Sequence, residues 1–228
     1  MVSPALPELK SFFHLAGSIE EIVVATFMIG YAIGSLFYGP LANSYGRKKA
    51  LYIGLGIHLL GLLFSNLSYP FESLSLLLIG RFFSSFGSSA GMVIGIILIR
   101  DIFEGDQVHK MMSYAVISPP VAMGVSMTIG GFLTESLAWV SCFQVQFGYG
   151  ILVFVLATRL KETLSRVDPG ATKIKNILHG LKECFLSKRL IGFSIVGGVI
   201  KSLNYLFASA SPIISEDFFN LAPQKYGL

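Results

Sequence analysis

"GPLANSYGRKKAL", residues 39–51, joins two long apolar runs and holds two glycines, an Asn and three successive cations. The runs on either side decide the fold. Ile22–Ala42 and Ala50–Tyr69 contain no Asp, Glu, Lys or Arg, and neither do Met111–Thr134 and Ser136–Thr158. Each run has 20 to 24 residues, enough for a helix to cross a hydrocarbon core of about 30 Å. Two further runs carry one cation each: Ser73–Ile99 is broken only by Arg81, and Leu190–Ser215 only by Lys201. Lipid offers the backbone no hydrogen-bond partners, so a spanning segment must be a helix or part of a closed barrel. These runs lack the alternation of barrel strands. The expectation is an all-α, polytopic membrane protein with six spans.

Composition points the same way. Hydrophobic residues make up 53% of the 228, and charged residues only 13%, against roughly 25% in a soluble domain. The net charge of +4 does not form a patch for nucleic acid, because the cations are sorted by loop. Arg47, Lys48 and Lys49 follow the first span, Arg100 and Lys110 the third, and a larger group from Arg159 to Arg189 the fifth. Loops on the other side carry none between spans, so the positive-inside rule places the three cationic loops in the cytoplasm and both termini outside. Residues 1–21 have no continuous apolar core and do not read as a signal peptide. Cys142, in a span, and Cys184, in a cytoplasmic loop, make no disulfide framework.

The longest polar stretch runs from Arg159 to Arg189, and within it Ile174, Ile177, Leu178, Leu181 and Phe185 recur at helical spacing. Two readings stand side by side: an amphipathic helix on the cytoplasmic membrane surface, and an ordinary solvated linker. Small residues recur inside the spans, at Gly30 and Gly34, Gly54 and Gly61, and Gly87, Gly91 and Gly95. They predict close helix packing.

In the opening stretch, Gly39 is expected to permit tight helix contact and Gly46 a turn with positive φ. Arg47, Lys48 and Lys49 are expected to anchor the next helix at the headgroups. Arg81 is an intramembrane cation, costly unless it faces a bundle interior or an aqueous cavity, and a packing role with a hydrogen-bonded partner is weighed equally. Phe27, Met28 and Tyr31 are candidates for an apolar drug cavity, with core packing as the plainer account. His58 reads as a packing residue and Lys201 as a snorkelling one. "GSSAG", residues 87–91, matches G-x-S-x-G, which raises an intramembrane serine protease as an alternative. The histidines after it, His109 and His179, lie in loops. No phosphate loop, metal motif or cofactor signature is present.

The pattern G-x-L-A-[acid or amide]-x-x-G-R-K-K at residues 39–49 resembles the loop between helices 2 and 3 of the major facilitator superfamily of transporters. "LLLIGRFFSSFGSSAGMVIGIILIRDIF", residues 76–103, resembles helix 4 of that superfamily. Its Arg81 matches the intramembrane arginine, and its Arg100–Asp101 ending is similar to the bicyclomycin-resistance (Bcr/CflA) drug:proton antiporters. "PALPEL" at 4–9, "GGFLTESLAWVSCF" at 130–143, "RLKETL" at 159–164 and "ASASPIISEDFFNLAPQKYGL" at 208–228 resemble the same family in order and spacing.

This resemblance covers the chain, whose six spans match helices 2 to 7 of a twelve-helix fold made of two related halves. It implies residues 1–160 as most of the first half, 161–189 as a cytoplasmic linker with an amphipathic helix, and 190–228 as the first helix of the second half. The implied activity is efflux of small amphipathic, drug-like substrates by proton antiport across the inner (plasma) membrane, with no cofactor, no metal and no enzymatic step. Gly39, Asn43, Gly46, Arg47 and Lys48 then form a gating turn, with Asn43 where the superfamily usually has Asp. Ser126 and Met127 replace the glycine-proline of the antiporter signature, and Pro119 and Pro120 offer a displaced kink. With helix 1 and helices 8 to 12 unmatched, the chain alone is expected to give no drug tolerance. A separately encoded remainder, or a non-transporting remnant, is the alternative.

Overall fold

A computed structural model describes the chain except for residues 1–2, 14–18, 165–166, 169 and 220–228. Its elements are a 3₁₀ turn, Ser3–Ala5, and eight helices: α1 (Leu6–Phe12), α2 (Ile19–Tyr45), α3 (Arg47–Leu67), α4 (Leu74–Ile102), α5 (Asp106–Ser136), α6 (Val140–Ala157), α7 (Ile174–Leu186) and α8 (Lys188–Phe219). No strand occurs among the described residues. Five helices, α2 from Ile22 through α6, are long and apolar enough to cross a membrane among the described residues. The sixth apolar run lies within the 32-residue helix α8. Helix α5 runs on through Pro119 and Pro120.

Helix α4 is the centre of the bundle, packed most extensively on α3 and then on α2, while α6 lies against α3. The reason is backbone access. A methyl group added to Gly61 of α3 would stand 2.7 Å from the Gly80 carbonyl oxygen of α4, and one added to Gly80 would stand 2.7 Å from that of Gly61. One helical repeat away Gly54 faces Gly87 in the same manner, so α3 and α4 run antiparallel. On the other side of α4, Gly30 meets Ser85 and Gly34 meets Ser89, which sets α2 and α4 parallel. Dispersion contacts between such close backbones replace the hydrophobic drive that lipid removes. The serines are self-contained: Ser84, Ser85, Ser88 and Ser89 each donate to a carbonyl three residues back in α4. They therefore act as small packing residues.

The glycine expectation holds at five positions and fails at two. Gly91 and Gly95 have nothing within 4 Å of an added methyl group among the described residues. They lie on a face of α4 with no described neighbour, while Ala90 and Ile94 beside them are fully buried.

The two ends of the bundle are chemically distinct. At one end Phe12 stacks on Tyr69 with ring centroids 5.2 Å apart and meets Trp139 at 5.4 Å, joining α1 to the α3–α4 and α5–α6 connections. Trp139 is fully buried there with Leu9, Leu62 and Leu77. Glu8 of α1 belongs to this cap. Burial pushes its carboxyl up, and a hydrogen bond from the Trp139 backbone N–H partly offsets that rise. The opposite end gathers the three cationic loops.

Candidate functional site

One residue, Gly46, separates α2 from α3. Its φ of +101° is in the left-handed region, where a side chain would be strained. An added methyl group would also stand 2.5 Å from Glu162 Oε2. The close approach has a purpose, because α3 opens at Arg47 with no side-chain cap of its own. Glu162, from the segment after α6, supplies one. Its Oε1 accepts the Arg47 N–H at 2.8 Å and its Oε2 the Lys48 N–H at 3.1 Å. A carboxylate here satisfies orphan donors and faces the positive end of the helix dipole. Its own loop contributes the Thr163 and Leu164 N–H groups, each at 3.1 Å. Partial burial pushes the Glu162 carboxyl up, but the donors of Leu164, Arg47, Lys48 and Thr163 outweigh it and hold the group below its usual range.

Arg47 is the second fastener. Its Nε pairs with Asp101 Oδ2 at 3.0 Å, and its side chain is only 12% exposed. Its Nη1 donates to the Ala42 carbonyl at 3.0 Å and to Asn43 Oδ1 at 2.8 Å. Asp101 Oδ2 also accepts the Thr163 hydroxyl at 2.8 Å. Lys48 Nζ donates to the Thr158 carbonyl at 3.0 Å. The Asn43 carbonyl accepts the Asp168 N–H at 3.0 Å, and the Ser44 hydroxyl donates to the Asp168 carbonyl at 2.7 Å. Thr158, Glu162, Thr163 and Asp168 therefore strap the α2–α3 turn to the end of α4.

The sequence-derived residues divide clearly. Asn43, Gly46, Arg47, Lys48 and Asp101 come together. Arg100 is exposed in the last turn of α4. Arg47 and Lys48 do not reach freely to headgroups as expected; their side chains are taken up by the network, and Lys49 alone of the three is exposed. Gly39 also departs from expectation. No described atom lies within 4 Å of an added methyl group, so it makes no tight helix contact. It lines a cavity of about 410 Å³ between the last turns of α2 and helix α7, because α7 is held off from α2 at this level. Glu162 was not singled out by sequence. Its signal is faint: one of three acids in a cationic stretch, far along the chain from the helix end it caps.

Arg81 is buried in α4 about 10 Å along from the helix start. Its guanidinium lies 4.5 Å from the Phe27 ring centroid and 5.9 Å from that of Phe143, a cation–π arrangement that lowers the cost of burying the charge. Phe27 in turn stacks near Tyr31 at 6.5 Å, while Met28 points outward and is 42% exposed. His58 places Nδ1 2.7 Å from the Ser84 carbonyl oxygen across the α3–α4 seam, in line with a packing role. Ser89, the middle of "GSSAG", is fully buried and donates to Phe86 inside a continuous helix. That setting lacks the strand-to-helix turn a hydrolase elbow requires. Among the described residues no group of His, Cys, Asp and Glu is arranged to hold a metal.

A tight two-helix turn is thus tied by arginine to the far end of a third helix. A family model described as Major Facilitator Superfamily matches residues 1–227. The chain belongs to the major facilitator superfamily. Among its relatives, an uncharacterised MFS-type transporter, YdgK, of Bacillus subtilis is 27% identical over 100% of this chain and 57% of its own length. A bicyclomycin resistance protein homolog of Haemophilus influenzae is 24% identical over 96% of this chain and 56% of its own. The multidrug resistance protein MdtL of Vibrio parahaemolyticus is 27% identical over 92% and 52%. This member of the superfamily thus spans about half the length of the curated relatives it matches.

Proposed function

We propose that this superfamily member serves multidrug efflux, exchanging protons for small amphipathic compounds across the plasma membrane by alternating access. The observation that carries the reading is the strapped turn, in which Arg47 joins α3 to Asp101 of α4 while Glu162 caps α3 from the segment after α6. Alternating access requires helices to move as a unit and inner contacts to break and re-form in discrete steps. A ring of charge-assisted bonds at one end of the bundle meets that need. The named activities of the Haemophilus and Vibrio relatives supply the drug-like substrate class. Buried Arg81, held over Phe27 and Phe143, is the intramembrane charge nearest an aromatic wall. Phe27 and Tyr31 are its substrate-facing candidates.

The test replaces the matching span of the Haemophilus bicyclomycin resistance homolog with this chain and expresses the chimera in a pump-deficient host. Bicyclomycin tolerance that collapses with a proton uncoupler, and is lost with Arg81→Ala, is the expected result. A chimera that reaches the membrane at wild-type level yet gives no tolerance sinks the efflux reading and leaves the non-transporting alternative.

A further inference from the structure

We propose that α7 is a docking surface for anionic phospholipid, holding the strap after α6 against the cytoplasmic leaflet. Helix α7 lies beside the last turns of α2, with Ile177, Gly180, Leu181 and Cys184 lining their shared cavity opposite Gly39, Pro40 and Asn43. Its depth is therefore that of the cytoplasmic end of a membrane-spanning helix. Beside that cavity-lining face, about a quarter-turn round the helix, Ile174, Leu178 and Phe185 fall within an arc of about 40°. Ile174 and Phe185 are 75% and 74% exposed, and Leu178 59%.

Charge decides what covers this ridge. Residues 173–189 hold five cations, Lys173, Lys175, Lys182, Lys188 and Arg189, against one acid, Glu183. Lys175 and Lys182 flank the apolar ridge on one side, about a quarter-turn from its centre. Glu183 lies on the opposite face, where its Oε1 is 3.4 Å from His179 Nε2 in an exposed pair. An apolar ridge at headgroup depth, lysines at its edge and the acid turned to water match the amphipathic helices that bind anionic leaflets. A protein neighbour of ordinary composition gives no reason for so one-sided an excess of cations. The inference concerns the lipid surface alone and does not depend on which compounds are transported.

The full-length chain, with Cys184→Ser and buried Cys142 retained, is spin-labelled at Leu178→Cys or at His179→Cys. It is then reconstituted in vesicles of phosphatidylcholine or of a phosphatidylcholine–phosphatidylglycerol mixture. In the anionic vesicles the label at 178 should be reached by oxygen and shielded from a water-soluble nickel complex, with the reverse at 179. In phosphatidylcholine alone, 178 should become open to nickel. Lys175→Gln with Lys182→Gln should lower the docked-to-free ratio in anionic vesicles about twenty-fivefold, the product of about fivefold per lysine. A label at 178 open to nickel in anionic vesicles overturns the proposal. Shielding from both oxygen and nickel also overturns it, since protein, a second copy or further chain, then covers the ridge. Bilayer depth that ignores headgroup charge overturns the anionic assignment.

Discussion

Gly61 and Gly80 meet backbone to backbone where α3 crosses α4, each blocking the space in which the other's side chain would grow. The crossing sets the bundle's central helix, so the loops at both ends depend on it. Gly61→Ala should lower stability by about 1–3 kcal/mol, the usual cost of forcing volume into a closed seam. Gly56→Ala, on the same helix but with open space around it, should be neutral or better. Thermal inactivation of the purified chain in detergent compares the two; equal midpoints would contradict the seam.

A second expectation concerns the cap on α3. Removing the carboxylate with Glu162→Ala leaves the Arg47 and Lys48 amides without their acceptor. A charged hydrogen bond is worth about 1.5–3 kcal/mol, and solvent screening at this exposed site reduces that to about 1 kcal/mol. Hydrogen exchange at these two amides should accelerate about fivefold, with exchange at the α1–Trp139 cap unchanged.

Acid should act on the same cap. The Glu162 carboxyl is held below its usual range in the folded chain, so its contribution is fully present above the ordinary carboxylate range. It is lost as pH falls through the lowered value. Protection of the Arg47 and Lys48 amides, taken relative to the intrinsic exchange rate at each pH, should fall on acidification in the wild type and stay flat in Glu162→Ala.

Asn43 accepts from Arg47 at 2.8 Å, so Asn43→Asp turns a neutral hydrogen bond into a charged one. The gain should be about 0.5 kcal/mol, the scale of a solvent-exposed pair. It should vanish in an Arg47→Gln background. A double-mutant cycle on thermal stability measures it, and no coupling would place the Asn43 side chain outside the network.

Topology gives the fifth expectation. Cys142 is buried and Cys184 exposed, and α7 shares its end of the bundle with the cationic loops. A membrane-impermeant thiol reagent should leave intact cells unlabelled and modify Cys184 in inside-out vesicles. Labelling of intact cells would invert the orientation.

Much of this architecture is legible in the sequence because the bilayer imposes it. Uncharged runs long enough to span became α2, α3, α5 and α6. Arg47, Asp101 and Glu162, from the three cationic loops, meet at one end, which agrees with the charge-sorting argument. Which small residues pack is less legible. Gly87 and Gly91 look alike in the chain, yet only Gly87 finds an opposing backbone, at Gly54. The difference depends on where α3 crosses α4, which no local pattern encodes. The Arg47 network was half visible: its turn carries a dense motif, whereas the acid that caps it sits in a segment without helical periodicity. Hydropathy sees spans and their sides, but not the pairing of polar groups between distant loops.

The separation of that cap along the chain, 115 residues from Arg47 to Glu162, has a consequence for how the protein is made. At a synthesis rate of about 5–20 residues per second, the α2–α3 turn waits roughly 6–23 seconds after it emerges before its carboxylate partner exists. During that interval three further helices enter the bilayer while the first amides of α3 rest on water alone. The hairpin of α2 and α3 must therefore hold its orientation by lipid insertion and flanking charge. Closure of the strap is a late step, a clasp fastened after the helices it joins are already in place.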